Sequence, residues 1–309
     1  MQKIIPHLWF DRTAREAADL YTSVFPGSAV TNVTVLRDTP SGDCDLVSLT
    51  LWGKEFMVIG AGPEFRFNPS VSFIVNYDPL LFGGSSAQHA QAARESLDKA
   101  WARLSEGGKI LMPLDAYPFS KRYGWLQDRY GVSWQLMLTD PAGEPRPAII
   151  PSLMFTGAKA GRAEEAVRFY LDVFRQAQPG AMHRYPAGRA PDAEGSLMFA
   201  DFKLEDTWFA AMDSAHPHGF DFNESISFVI CCDDQQEIDH YWEKLSAVPE
   251  AEQCGWIKDR YGLSWQITPA GMETMLRSGT QQQADRIMKA FLKMKKPDIA
   301  ALEAAAAGG

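Results

Sequence analysis

Apolar positions along the chain come in short strand-like runs with one helical stripe between them. Residues 3–10 read as a strand. Ala17, Leu20, Tyr21, Val24 and Phe25 then lie on one face of a helix over 14–25, which Pro26 and Gly27 stop. Runs at 29–37, 45–52 and 55–59 read as strands, with a tight turn at Gly53 and Lys54. The unit is β-α-β-β-β. A second one follows: a strand at 70–76, a helix over 88–105, a strand at 109–114 and a closing hairpin at 125–138. In the hairpin's outgoing strand Val132, Trp134, Leu136 and Leu138 share one face, and Ser133, Gln135 and Met137 the other.

That hairpin occurs twice. Gly124-Trp-Leu-Gln-Asp-Arg-Tyr-Gly-Val-Ser-Trp-Gln135 returns as Gly255-Trp-Ile-Lys-Asp-Arg-Tyr-Gly-Leu-Ser-Trp-Gln266, changed only at Leu126/Ile257, Gln127/Lys258 and Val132/Leu263. The chain is a duplication, and the copies align outward from this anchor: 4–10 with 149–155, 16–25 with 165–174, 68–74 with 223–229. The expected division is a first domain over 1–140, a Pro- and Gly-rich linker at 141–147, a second domain over 148–270, and a C-terminal part over 271–309. That last part is expected to hold an amphipathic helix over 280–300 and a frayed tail from 304. Asp128-Arg-Tyr-Gly131 reads as turn chemistry: Asp suits the start of a turn and Gly the positive φ that closes it.

The net charge of -9, with no basic patch, argues against a general nucleic-acid binder. No apolar run is long enough to span a membrane and the first residues lack a leader pattern, so a cytoplasmic protein is expected. Cys44, Cys231, Cys232 and Cys254 show no Cys-x-x-Cys spacing, which indicates neither a zinc knuckle nor a redox motif. Cys231 and Cys232 point to opposite faces of a strand, which suits packing. The run from Lys293 to Lys296 reads as the solvated end of a helix, and His216-Pro-His218 as a surface loop.

Three features together resemble one family: the paired β-α-β-β-β units, the opening strand followed by Arg15-Glu-Ala-Ala-Asp-Leu-Tyr21, and the closing Asp-Arg-Tyr-Gly-x-Ser-Trp hairpin. It is the vicinal oxygen chelate superfamily, which joins glyoxalase, bleomycin-resistance and dioxygenase proteins. Met112-Pro-Leu114 adds a resemblance to its PhnB-like branch, labelled 3-demethylubiquinone-9 3-methyltransferase domains. The resemblance covers 4–268 in two copies. It implies an α+β fold of tandem glyoxalase-like domains, each made of two β-α-β-β-β units curled into a cupped mixed sheet with helices outside. The tandem would stand as a monomer resembling a dimer, or as a homodimer.

The same resemblance turns His7, Trp9, Ser48, Trp52, Ser70 and Gln135 into one cup, that of the first domain. Metal-dependent relatives place His or Glu at matching positions of the first, third, fifth and eighth strands. Here those positions fall on His7, Ser48, Ser70 and Gln135, and in the second copy on Ser152, Ala200, Ser225 and Gln266. One imidazole among hydroxyls and amides is a poor cation site, so no metal is expected. Gly60-Ala-Gly62 runs into Pro63 and a strand, unlike an adenosyl-cofactor turn, so no cofactor is expected and the methyltransferase label is disfavoured. The expected function is metal-independent binding of a small organic molecule, with or without chemistry on it. The alternatives are a metal-dependent lyase, isomerase or dioxygenase, and a sequestering protein whose second cup only mimics a dimer partner. His7 is either a hydrogen-bonded core histidine or a catalytic base or ligand-orienting donor whose imidazole titrates near neutrality. Trp9 and Trp52 offer stacking faces, Ser48, Ser70 and Gln135 hydrogen bonds. With no Arg or Lys on these inward faces, the ligand is expected to be partly aromatic or carbonyl-bearing rather than a phosphate.

Overall fold

A computed structural model describes residues 2–39 and 41–308. The first unit is β1 (Ile4–Phe10), α1 (Ala14–Val24), β2 (Ala29–Thr39), β3 (Gly42–Leu51) and β4 (Lys54–Gly60). The second is β5 (Val71–Tyr77), α2 (Ala87–Ser105), β6 (Lys109–Tyr117), β7 (Ser120–Gln127) and β8 (Ser133–Leu138). The third is β9 (Ile149–Phe155), α3 (Ala163–Val173), β10 (Ala177–Arg184), β11 (Leu197–Leu204) and β12 (Thr207–Asp213). The fourth is β13 (Ile226–Cys232), α4 (Gln235–Leu245), β14 (Trp256–Lys258) and β15 (Ser264–Pro269). It has two strands after its helix where the second unit has three. Its residues 246–255 contain a short 3₁₀ turn at Pro249–Ala251 and a positive φ of 51° at Cys254, both of which suit a loop.

The strands form two sheets. One has seven strands in the order β14-β15-β13-β1-β4-β3-β2, the other eight in the order β10-β11-β12-β9-β5-β8-β7-β6. The expectation that each repeat closes its own cup is therefore corrected. β1 pairs antiparallel with β13, His7 opposite Ser227, and β5 pairs antiparallel with β9, Ser72 opposite Ser152. Each sheet joins the first unit of one repeat to the second unit of the other. β5, β9 and β13 are buried along their whole length, and β1 nearly so. Strands covered on both faces belong in the middle of a sheet, where both edges are hydrogen-bonded.

The outer faces of the sheets meet back to back through aromatic side chains. Phe56 meets Phe73 at 5.1 Å between ring centroids, and Phe209 meets Phe228 at 5.0 Å. The repeated hairpins lock this core. The Asp128 carboxylate accepts hydrogen bonds from Tyr21 Oη at 2.7 Å, Trp134 Nε1 at 2.9 Å and the backbone N–H groups of Tyr130 and Val132. Asp259 repeats the arrangement with Tyr170, Trp265, Tyr261 and Leu263. Burial pushes both carboxyl groups above their ordinary value, against donors that favour the anion. Gly131, at φ +92°, closes the first of these turns.

Gly124 in β7 faces Trp101 of α2, and a Cβ there would lie 2.4 Å from the indole ring. Gly124→Ala is expected to destabilise the protein by about 1–3 kcal/mol through overpacking. A urea midpoint equal to that of the parent protein would refute this.

The C-terminal part is α5 (Met272–Ser278), α6 (Gln281–Phe291) and α7 (Ile299–Ala307). The single helix expected over 280–300 is thus broken. α6 ends at Phe291, and a new helix starts where Asp298 caps α7 by accepting from Ala301 N at 3.0 Å. The expected frayed tail is corrected too, since α7 extends to Ala307 and buries Leu302. Among the described residues, no helix is long and apolar enough to cross a membrane.

Candidate functional site

The inner face of the seven-stranded sheet encloses a cavity of about 670 Å³, within the size range of small-molecule sites. Alternation along the strands sets its lining. His7 and Trp9 from β1, Ser48 from β3 and Gln266 from β15 all reach it. Of the six side chains expected together, the structure brings together His7, Trp9 and Ser48.

The other three lie elsewhere. Trp52 follows the end of β3 at φ +43°, where the turn breaks the alternation. Its ring packs against Tyr77 at 5.0 Å and Phe82 at 5.8 Å, as part of the main core. Gln135 belongs to the eight-stranded sheet, and Ser70 borders it. Gln135 accepts from Tyr123 Oη at 2.7 Å and donates to Ser72 Oγ at 2.7 Å. Ser70 lies just before β5, its carbonyl accepting from Met154 N. Gln266, the twin of Gln135, takes the place beside His7. It donates to Ser227 Oγ at 2.9 Å, and Ser227 stands directly opposite His7. The sequence shows the Gln135/Gln266 equivalence, but it does not show which sheet each joins.

His7 is 4% exposed, and burial pulls its imidazole down to about 4. The ring is thus held below the near-neutral value expected of it. Withdrawal from water disfavours the charged ring, and no carboxylate offsets it. At neutral pH His7 has one donor and one acceptor nitrogen. Its Nδ1 is buried without a hydrogen-bond partner, and so is Ser264 Oγ. Both residues line the cavity, and Ser227 lies between them across neighbouring strands.

Aromatic rings form one wall. Trp256 meets His7 at 5.8 Å and Trp9 at 6.2 Å, and Phe65 meets Trp9 at 5.2 Å. Trp9 Nε1 donates to the Gly62 carbonyl at 2.9 Å, which fixes the indole. Lys258 also lines the cavity, contrary to the expectation of no basic group, because β14 comes from the second repeat. Glu224 neutralises it at 2.6 Å. Cys44, Cys231 and Cys254 reach the cavity as well. Burial pushes the Cys231 thiol up to about 12, so it is protonated and unreactive at neutral pH.

The concave face of the other sheet differs. Ile74, Ile150 and Ala210 pack together there with Trp208 and Met137. Arg146, from the linker, lies 3.9 Å over the Trp208 ring and pairs with Asp201 at 2.7 Å.

The donor set is a poor match for a divalent ion. The strand positions that would hold it in the seven-stranded sheet carry His7, Ser48, Ser225 and Gln266, and the Ser225 hydroxyl already donates to Asn223 at 2.6 Å. One imidazole, two hydroxyls and an amide lack the charge and the ligand count of such a site. No group of three or more His, Cys, Asp or Glu suited to a metal occurs among the described residues. An adenosyl cofactor is matched no better. Gly62 leads through Pro63 into a loop, and no helix N-terminus follows β4 to receive it.

The pattern of one protein family, described as 3-demethylubiquinone-9 3-methyltransferase, matches residues 2–137 and again 147–268. A PhnB protein from Bacillus cereus is 36% identical over 45% of this chain and all of its own, with a TM-score of 0.37. Glyoxalase I from Zea mays is 12% identical over 86% of this chain and 93% of its own, with a TM-score of 0.47. No curated protein matches the chain.

Proposed function

The chain belongs to the 3-demethylubiquinone-9 3-methyltransferase family, a PhnB-like branch of the glyoxalase superfamily, and we propose that it is a cytoplasmic, metal-independent binder of one small organic molecule. The binding site is the cavity of the seven-stranded sheet. The observation that carries this reading is the cavity itself, about 670 Å³ on the inner face of that sheet, with His7, Trp9, Ser48, Trp256 and Gln266 on its lining. The neutral imidazole of His7 and the amide of Gln266 offer such a molecule hydrogen-bonding groups. Trp9 and Trp256 add ring surface for a planar or apolar body. With its imidazole held at about 4, His7 is uncharged at neutral pH and carries one donor and one acceptor nitrogen. Its role is to orient the ligand by hydrogen bonding. The reading of a metal-dependent lyase, isomerase or dioxygenase lacks the ligands it needs.

Native mass spectrometry of the purified protein is expected to show a bound organic molecule at about one per chain, and His7→Ala to lose it. Ser152→Ala, at the matching position of the other sheet, should retain it. Elemental analysis showing about one zinc, nickel, manganese or iron per chain, released on replacing His7, would overturn the metal-free reading.

A further inference from the structure

Met272 and Leu276 of α5, Met288 and Phe291 of α6, and Leu292 close one side of the cavity. These residues lie beyond the duplicated unit, which ends near residue 268. We propose that this C-terminal segment is the ligand-selecting wall of the site, and that it selects a largely apolar molecule without an anionic group. The proposal rests on the binding reading above.

The wall has its own small core. Met272, Ile287 and Leu302 are buried together, with Met275, Met288 and Phe291 packed on them. It is fastened to the sheet at its two ends. Ala270 N donates to the Cys232 carbonyl at 2.8 Å. Beyond α6, Cys254 N donates to Met294 O at 2.8 Å and Gly255 N to Lys295 O at 2.9 Å. Lys295 pairs with Glu252, and Lys296 with Asp239. Between these anchors, the hydrogen bonds of the described residues in α5 and α6 stay within the C-terminal helices, as from Arg286 to the Ala305 and Ala306 carbonyls. Met272, Leu276, Met288 and Phe291, the described residues of α5 and α6 that line the cavity, present apolar surface to it. Methionine supplies it with flexible, polarisable side chains that adapt to an irregular ligand.

The charges on the cavity lining give the second half of the proposal. Lys258 is neutralised by Glu224, and His7 is neutral, while Glu55 and Glu64 also line the space. An anionic group entering there would lose its water and gain no free cation among the described residues of the lining. The ligand therefore places an apolar end against α5 and α6, and a hydrogen-bonding group toward His7 and Gln266.

A matched pair of probes tests this: neutral N-phenyl-1-naphthylamine, and 8-anilinonaphthalene-1-sulfonate, which has the same rings plus a sulfonate. The full chain is expected to bind the neutral probe at about one per chain and at least about tenfold more tightly than the sulfonate. Phe291→Ala and Leu276→Gln should each weaken binding of the neutral probe about tenfold, with thermal unfolding recording that the fold is kept. Trp208→Ala, on the other sheet, should leave it unchanged. Binding of the neutral probe that both wall variants leave unaltered would overturn the wall and spare the binding reading. Equal or tighter binding of the sulfonate would overturn the apolar selection. Failure of both probes to bind would overturn the proposal and the binding reading together.

Discussion

Replacing Asp128 by Ala is expected to cost roughly 4 kcal/mol or more, enough to unfold many domains of ordinary stability. The carboxylate is 3% exposed and receives four hydrogen bonds, two from side chains and two from the backbone. Alanine would leave all four donors unpaired in the interior, where each costs about 1–3 kcal/mol. It would also untie Tyr21 on α1 from the hairpin that carries Trp134. Asp128→Asn keeps two acceptor lone pairs on one oxygen and should lose less. Asp259→Ala should act as Asp128→Ala does, because the same four bonds recur there. Urea denaturation followed by tryptophan fluorescence measures both, and a loss below about 1 kcal/mol in Asp128→Ala would show that the network is not the lock.

The second large effect is a dependence of stability on pH that originates at His7. Burial holds the folded imidazole at about 4, against an ordinary value of 6.5. Between these values the unfolded chain binds a proton that the folded chain refuses. The contribution to stability is therefore complete above about pH 6.5, declines as pH falls toward 4, and is constant below that. The total is about 3 kcal/mol, from roughly 1.4 kcal/mol per unit of difference. His7→Gln cannot titrate. The difference in unfolding free energy between the parent protein and His7→Gln should shrink by that amount from pH 7 to pH 4. Stability curves for the two proteins that run parallel across this range would rule out a buried neutral imidazole at this position.

The local structure was largely legible. The stripe of Ala17, Leu20 and Tyr21 marks α1, and all three are buried. The alternation around Gln135 places it opposite Trp134 on β8, as the observed contacts require. Turn chemistry located the hairpin, although the role of Asp128 exceeds that of a turn residue. The signal for it was present in the matching Tyr21 and Tyr170, which recur with the two hairpins. His7 of β1 and Ser48 of β3 also met as expected, because periodicity fixes the residues that share a face in each strand and the family resemblance says which face turns inward.

The duplication and the alternation of faces along each strand are properties of sequence by itself, since each follows from spacing and residue type, whereas which face turns inward and where metal ligands would stand came from the family resemblance. Tertiary structure decided which units share a sheet. β5 and β13 descend from one ancestral strand and have nearly the same buried character, so either could hydrogen-bond to β1. Packing of the two repeats against each other selects β13. That one choice removes Gln135 and Ser70 from the neighbourhood of His7 and substitutes Gln266, Ser264 and Trp256. It also brings Lys258 to the cavity. The closure of the cavity by α5 and α6 is likewise a tertiary event. Their apolar stripe announces burial, but the surface that buries it belongs to strands more than two hundred residues away along the chain as well as to adjacent ones, and no local pattern encodes that meeting.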